Sequence, residues 1–358
     1  MKRMELGVFL PVANNGFVFS SNTTAYRPSY AGNLAITQQA EQAGFDYAFS
    51  MAKWRGQGGV THMWDSALES FSLMLALAVS TKRMKLIATV NPVLFHPALM
   101  AKMTATFDEV SPGRLSLNII TGGLMAEYTQ MGVLPQGYDK DRYAFAQEWV
   151  HVLKRLWIEP SVTHHGRFFS LEDCVSEPKP LQRPYPALVC AATSDEGLRF
   201  TAREADWCFV SARDVATVKE KADRARTIAA EEGKTVKIAL LTTLVIGDDD
   251  QDAQATVEHL IEGADVEALT NTGMAAQKET RERVQQHGAA RLSDKRQIFF
   301  GLPIVGGPAR IVEQLTTLSE AGIDSLALIF PDYADGLTRF ANLVPHLRET
   351  LDIGVAPH

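Results

Sequence analysis

The segment 85-KLIATVNPVLFHPALMAKMTATFDEVSPGRLSLNIITGG-123 decides how the chain is read. Two apolar runs, 85-KLIATV-90 and 115-LSLNII-120, flank a stretch, 97–110, with helical spacing of its apolar residues. Pro97 suits a first helical turn, where its missing N–H would have no intrahelical partner anyway. The runs are rich in Val, Ile and Leu with little polar alternation, the pattern of strands buried on both faces. Strand, helix and strand of this kind make a β-α-β unit with a parallel sheet.

The unit repeats along the chain. Further apolar runs are 6-LGVFLPV-12, 46-DYAFS-50, 187-ALVCAA-192, 207-WCFVS-211, 237-KIALLTTLVIG-247 and 325-SLALIF-330. Helical patterns occupy roughly 30–43, 66–80, 140–157, 195–205, 213–232, 250–263, 308–321 and 335–350. Ser66 with Glu69, and Thr193 with Glu196, have capping-box spacing, and Pro308 suits another first turn. The length of 358 residues would allow two or three domains. Eight β-α units point instead to one α/β domain over 1–358, a (β/α)8 TIM barrel. Two polar stretches interrupt it, about 158–186 after strand four and about 264–306 after strand seven. Insertions of that length in a barrel usually decorate the active face or form a lid.

Composition excludes several functions. The net charge is −7 with no basic block, so nucleic acid is not an expected partner. Cys174, Cys190 and Cys208 form no CxxC pair and no zinc spacing, and no metal site is expected. Cys190 and Cys208 lie in apolar runs and read as small core residues in a reducing compartment. The N-terminus runs straight into a strand, and no apolar stretch approaches about 18 residues without charge. A cytoplasmic protein without membrane contact is expected. GxSxG, HExxH, Walker and GxGxxG patterns are absent. His164-His165 reads as a polar loop, and Met51, Met63, Met74, Met100 and Met103 as packing residues.

Barrel enzymes keep reactive groups at the carboxyl ends of their strands. There this chain has Ser50, Lys53, Arg55 and 56-GQGG-59; Thr89 and Asn91; Asn118 and Thr121, then Glu127 and Asp141-Arg142-Tyr143; and 193-TSDEG-197. Ser194 at a helix start could favour a phosphate, or Thr193 or Ser194 could simply cap the helix. Asn118 could serve a ligand or be a satisfied buried amide. Glu127 with Arg142 could be a surface pair, and Lys53 with Arg55 a solvated loop.

The string 49-FSMAKWRGQGGVTHMWDSALESFSLMLALA-78 resembles the bacterial-luciferase-like, FMN-dependent monooxygenases, and within them the branch that opens the uracil ring. The likeness continues through 8-VFLPVANNG-16, 114-RLSLNIITG-122, 127-EYTQMG-132, 142-RY-143 and 165-HGRFFSLEDC-174. The resemblance implies FMN at the barrel's carboxyl mouth, reduced by a separate NAD(P)H-dependent flavin reductase, with O₂ as co-substrate. It places flavin contacts at Ala52, Lys53, Asn118, Glu127, Arg142, Tyr143 and Ser194. Thr89 and Asn118 would line an oxygen pocket beside the reactive flavin nitrogen. The implied reaction is oxidative C–N cleavage of a planar nitrogen heterocycle, a pyrimidine such as uracil, through a flavin-N5 peroxide. No protein nucleophile is needed for it, which suits the missing triads. Gly123 stands where the family has a tryptophan, leaving room for something bigger or a gap filled from the 264–306 insertion, and the loop 90-VNPVLFHP-97 also differs, bringing Asn91, Phe95 and His96. A larger ring, as in riboflavin-degrading lyases, C–S cleavage of a sulfone or sulfonate, and a non-catalytic flavin-binding barrel are the alternatives. A sulfonate pocket should collect several cations. Families of this architecture associate as dimers or tetramers, and the apolar helix 67–79 is a candidate interface.

Overall fold

Tyr47 shows how the sheet is built around its small residues. Its ring lies over Gly7, where an added Cβ would sit 1.9 Å from the ring. Its hydroxyl is 2.8 Å from Ser325 Oγ, and all of it is buried. Burial lifts the phenol far above its ordinary range, with the Ser325 hydrogen bond pulling the other way. Three strands are thereby tied together: β1 (Arg3–Leu10), β2 (Tyr47–Ser50) and, in chain order, β11 (Ser325–Ile329).

The computed structural model describes residues 3–122, 125–192, 194–272 and 295–353. The other strands are β3 (Lys85–Val90), β4 (Leu115–Ile119), β5 (Val162–His165), β6 (Ser170–Cys174), β7 (Ala187–Ala191), β8 (Trp207–Val210), β9 (Lys237–Ile246), β10 (Leu302–Gly306) and β12 (Asp352–Ile353). The helices are α1 (Tyr30–Gln42), α2 (Ser70–Val79), α3 (Pro97–Val110), α4 (Met125–Thr129), α5 (Tyr138–Ile158), α6 (Asp195–Glu204), α7 (Val215–Glu231), α8 (Asp250–Glu262), α9 (Val266–Asn271), α10 (Pro308–Glu320) and α11 (Tyr333–Thr350). All eight apolar runs of the sequence are parallel strands, and the fold class is the expected α/β (β/α)8 TIM barrel.

The chain divides into two compact units, residues 1–69, 210–222 and 239–358, and residues 70–209 and 223–238. In the first, the strand order is β10-β9-β11-β1-β2, and β12 pairs with β1. Every pair is parallel, with Gly7 opposite both Tyr47 and Ala327. In the second unit, β3, β4, β7 and β8 follow one another in parallel. Its registers set Thr89 opposite Asn118 and Cys190 opposite Cys208. Burial pushes the Cys208 thiol up to about 12 and Cys190 further still, so both behave as the core residues expected of them. Met63, Met74 and Met100 are likewise buried.

The structure corrects three local expectations. The Ser66–Glu69 capping box starts no helix, because α2 begins at Ser70. Residues 66–68 are bound to the loop after β1 instead, through Asn14 N–H to Ser66 O and Leu68 N–H to Val12 O. The insertion at about 158–186 contains the antiparallel hairpin β5–β6. The one at about 264–306 opens with α9 and closes with β10, which joins the sheet parallel to β9, so it is not wholly external; residues 273–294 lie outside the described part. Helix α2 buries Phe71, Leu73, Met74 and Leu77 within the chain, and only Ser72 and Val79 of its residues are exposed.

Gly7→Ala should destabilise the protein by about 1–3 kcal/mol, the usual cost of overpacking a tight core. A lower urea midpoint at unchanged slope measures it.

Candidate active site

The β3–β4 register brings two polar side chains together inside an apolar sheet. Asn118 Nδ2 donates to Thr89 Oγ1 at 3.0 Å, and Thr89 N–H donates to Ser70 Oγ at 2.8 Å. Asn118 is 4% exposed and Thr89 3%. Asn118 Oδ1 is buried with no donor among the described residues, a costly state that native proteins rarely tolerate without a bound partner. The satisfied-amide alternative therefore fails for half of this side chain.

The chain beyond β4 is fixed next. Tyr138, at the start of α5, donates its hydroxyl proton to Thr121 O at 3.1 Å. Glu127, in the first turn of α4, is buried, at 4% exposure. Tyr128 beside it is pushed up to about 12 by burial. Gly123, and with it the departure from the family tryptophan, lies outside the described residues.

A second polar group gathers around the start of α6. Ser194 caps this helix, its Oγ accepting from Gly197 N–H at 3.2 Å. Tyr143 Oη stands 3.3 Å from the same Oγ, and the Arg142 guanidinium lies 5.0 Å from the Tyr143 ring centroid. Gly197 permits this approach, since a Cβ there would come within 2.6 Å of Tyr143 Oη. Two hydroxyls, a guanidinium and a helix N-terminus together are able to hold an anion such as a phosphate. Capping and anion binding are compatible, because Ser194 uses an acceptor lone pair for Gly197 and keeps its hydroxyl proton for another oxygen. Thr193 is outside the described residues.

Ala52 and Lys53 belong to the first unit, and both are half-buried. Lys53 Nζ lies 5.1 Å from the ring centroid of Trp64, whose Nε1–H donates to Gly16 O at 2.7 Å. Trp64 went unnoticed in the sequence, although a tryptophan next to a glycine-rich loop was a usable signal. The same unit has a cavity of about 290 Å³ lined by residues from the loops after β1 and β11 and from α1. Phe17, Tyr26, Phe330 and Tyr333 give it apolar walls, and Asp332 is the charged group among its lining residues. No cation lines it, which disqualifies this cavity as a sulfonate pocket.

Other flagged residues have structural roles. His96 Nδ1 caps α3 by accepting from Ala98 N–H at 3.2 Å, and burial lowers its pKa. His164 is not a loop residue but part of β5, 3.1 Å from Glu148 Oε1. Among the described residues, no cluster of His, Cys, Asp or Glu is placed to hold a metal ion. No helix among them is long and apolar enough to cross a membrane.

Polar side chains at the carboxyl ends of strands stand where enzymes of this fold keep their reactive groups. The sequence pattern of luciferase-like monooxygenases matches residues 4–325, and the chain belongs to that family of oxidoreductases. It is 36% identical over 353 residues to a pyrimidine monooxygenase RutA of Agrobacterium fabrum, covering 97% of each chain. Its fold matches a riboflavin lyase (RcaE) crystallised with modified FMN and riboflavin, at TM-score 0.85, 19% identity, and coverage of 99% of this chain and 94% of that one. It also matches a long-chain alkane monooxygenase (LadA) at TM-score 0.84, 19% identity, and coverage of 98% and 92%.

Glu148, further along the helix that carries Arg142 and Tyr143, holds the β5–β6 hairpin. It accepts from Phe169 N–H at 2.8 Å and from Phe168 and Arg167 N–H at 3.1 Å. Burial raises its pKa, but the Phe169, His164 and Phe168 hydrogen bonds outweigh that and leave it below the ordinary value. A carboxylate depressed in the folded state adds stability above its unfolded pKa and loses it as pH falls through the folded one. Glu148→Gln should therefore cost about 1–3 kcal/mol at pH 7. Its deficit relative to the parent should close below about pH 4, as read from denaturation midpoints across pH.

Proposed function

We propose that the protein is a two-component monooxygenase that uses reduced FMN and O₂ to cleave a C–N bond of a pyrimidine-type ring. The observation that carries the reading is the buried Asn118–Thr89 pair, with an acceptor oxygen that has no donor among the described residues. The substrate class rests on the full-length relative named as a pyrimidine monooxygenase. Asn118 Oδ1 would accept from a flavin N–H. Arg142, Tyr143 and Ser194 would hold the flavin phosphate, and the buried Glu127 would accept from a hydroxyl or ring N–H. Ala52 and Lys53 enter the proposal on the sequence resemblance alone. Bound there, reduced FMN would supply the electrons that activate oxygen.

The chain's own contribution is placement and exclusion. Thr89 Oγ1 accepts a hydrogen bond from Asn118 Nδ2 and so fixes the orientation of the Asn118 amide. The oxygen-handling end is dry: Thr89, Asn91 and Asn118 are all buried. Dry, preorganised dipoles act more strongly than the same groups in water and protect a reactive oxidant from hydrolysis. The reductant would come from a separate NAD(P)H-dependent flavin reductase. The enzyme would work as a dimer or tetramer in the cytoplasm, in keeping with its free cysteines.

Purified protein supplied with a flavin reductase, NADH, FMN and air should convert uracil to an acyclic product containing one added oxygen atom, detected by mass spectrometry. Thymine, riboflavin and an alkyl sulfone are run in parallel. Uracil left intact while riboflavin or the sulfone is consumed would overturn the pyrimidine assignment and keep the oxygenase.

A further inference from the structure

Between Lys53 and α2 the chain runs through 56-GQGGVTHMWD-65, a loop whose backbone is unusual. His62 and Trp64 have φ of +49° and +60°, and Gly58 and Gly59 have +64° and +72°. L side chains rarely adopt such angles, and they persist where surrounding contacts over-determine them. The contacts here come from the segment after α8. The Asp265 carboxylate accepts from Thr61 N–H at 2.8 Å, from Thr61 Oγ1–H at 2.6 Å and from Ala268 N–H at 3.0 Å, capping α9 with the last. Its own N–H donates to Phe19 O at 2.9 Å, and the residue is 2% exposed. Asn271 Nδ2 adds a bond to Gln57 O at 2.8 Å. Gly59 closes the fit, since a Cβ at that position would lie 2.3 Å from Asp265 Oδ1. From the other side, Asn14 and Asn15 donate their side-chain amides to His62 O and Thr61 O.

We propose that Asp265 is a positioning residue for cofactor binding: it locks the glycine-rich loop through Thr61 and thereby fixes Trp64 and the Lys53 ammonium above it. A buried carboxylate with charge-assisted bonds to one loop residue is a rigid anchor, stronger than neutral bonds would be. Trp64 is seated against Phe17, Phe19 and Phe300, with ring centroids at 6.2, 5.3 and 5.6 Å, so the loop has a defined place to be held in. The start of the insertion at 264–306 then serves as a clasp for the loop. This inference rests on reading Lys53 as a flavin contact.

Full-length Asp265→Asn, Thr61→Val, Thr61→Ser and Lys53→Gln are compared with the parent by amide hydrogen exchange and by FMN titration. Thr61→Val is the mild variant, removing one hydroxyl while the Thr61 position keeps its backbone bond. Exchange over 56–65 should accelerate in Asp265→Asn and Thr61→Val. The Kd for reduced FMN should rise about tenfold, as expected for one lost hydrogen bond to a charged acceptor, with kcat at saturating FMN kept. Thr61→Ser should match the parent on every reading. Unchanged exchange over 56–65 in both Asp265→Asn and Thr61→Val overturns the clasp. Weaker FMN binding in Lys53→Gln with parental binding in those two overturns the positioning role alone. Parental binding in Lys53→Gln overturns the reading of Lys53 itself, and the positioning role with it.

Discussion

Asn118 donates a hydrogen bond to Thr89, and its own carbonyl oxygen is buried without a donor among the described residues. That arrangement sets the terms for the rest of the second unit. A parallel register places the two residues opposite each other, and a shift of one strand by one residue would put the two side chains on opposite faces of the sheet. Ser70, the first residue of α2, then takes up the Thr89 N–H and ties that helix to β3. An apolar strand carries an amide at some cost. A flavin N–H is the donor that the proposed function assigns to it.

Close backbone approach is the device used to bring polar groups together. Gly7 leaves room for the Tyr47 ring, whose hydroxyl meets Ser325; Gly197 leaves room for Tyr143, whose hydroxyl meets Ser194. The first contact is buried inside the sheet and serves stability. The second lies at an exposed helix N-terminus, where the same economy of side-chain volume leaves two hydroxyls and a guanidinium near one set of free N–H groups. The chemistry of the two contacts is alike, and their surroundings give them different uses.

The barrel was legible because its strands are buried on both faces: runs such as 85-KLIATV-90 and 187-ALVCAA-192 have no polar alternation to confuse the reading. The hairpin at 162–174 was not, since its strands are short and half-exposed, with His164, His165, Glu172 and Asp173 where a core strand would have aliphatics. Strand β10 was hidden as well. Pro303 and the flanking Gly301, Gly306 and Gly307 make it resemble a loop, and its parallel pairing to β9 depends on a partner more than fifty residues away in sequence. The Ser66–Glu69 spacing misled because tertiary bonds to Asn14 and Val12 outcompeted the local cap. Thr89, Asn118 and Ser194 stand out in the sequence by their place at strand ends, and the family resemblance sharpens that choice. Trp64 and Asp265 were not found, because a loop anchor has no periodicity and its partner lies about two hundred residues further on.

The most direct test is oxygenation by Asn118→Ala and Thr89→Val with reduced FMN, air and uracil. Thr89→Val should bind FMN within a few-fold of the parent and Asn118→Ala, which also loses the proposed flavin hydrogen bond, about tenfold more weakly, yet at saturating FMN both should form little or no oxygenated product. Parental rates of product formation in both would contradict the assignment of the Asn118–Thr89 pair as the place where oxygen chemistry is organised.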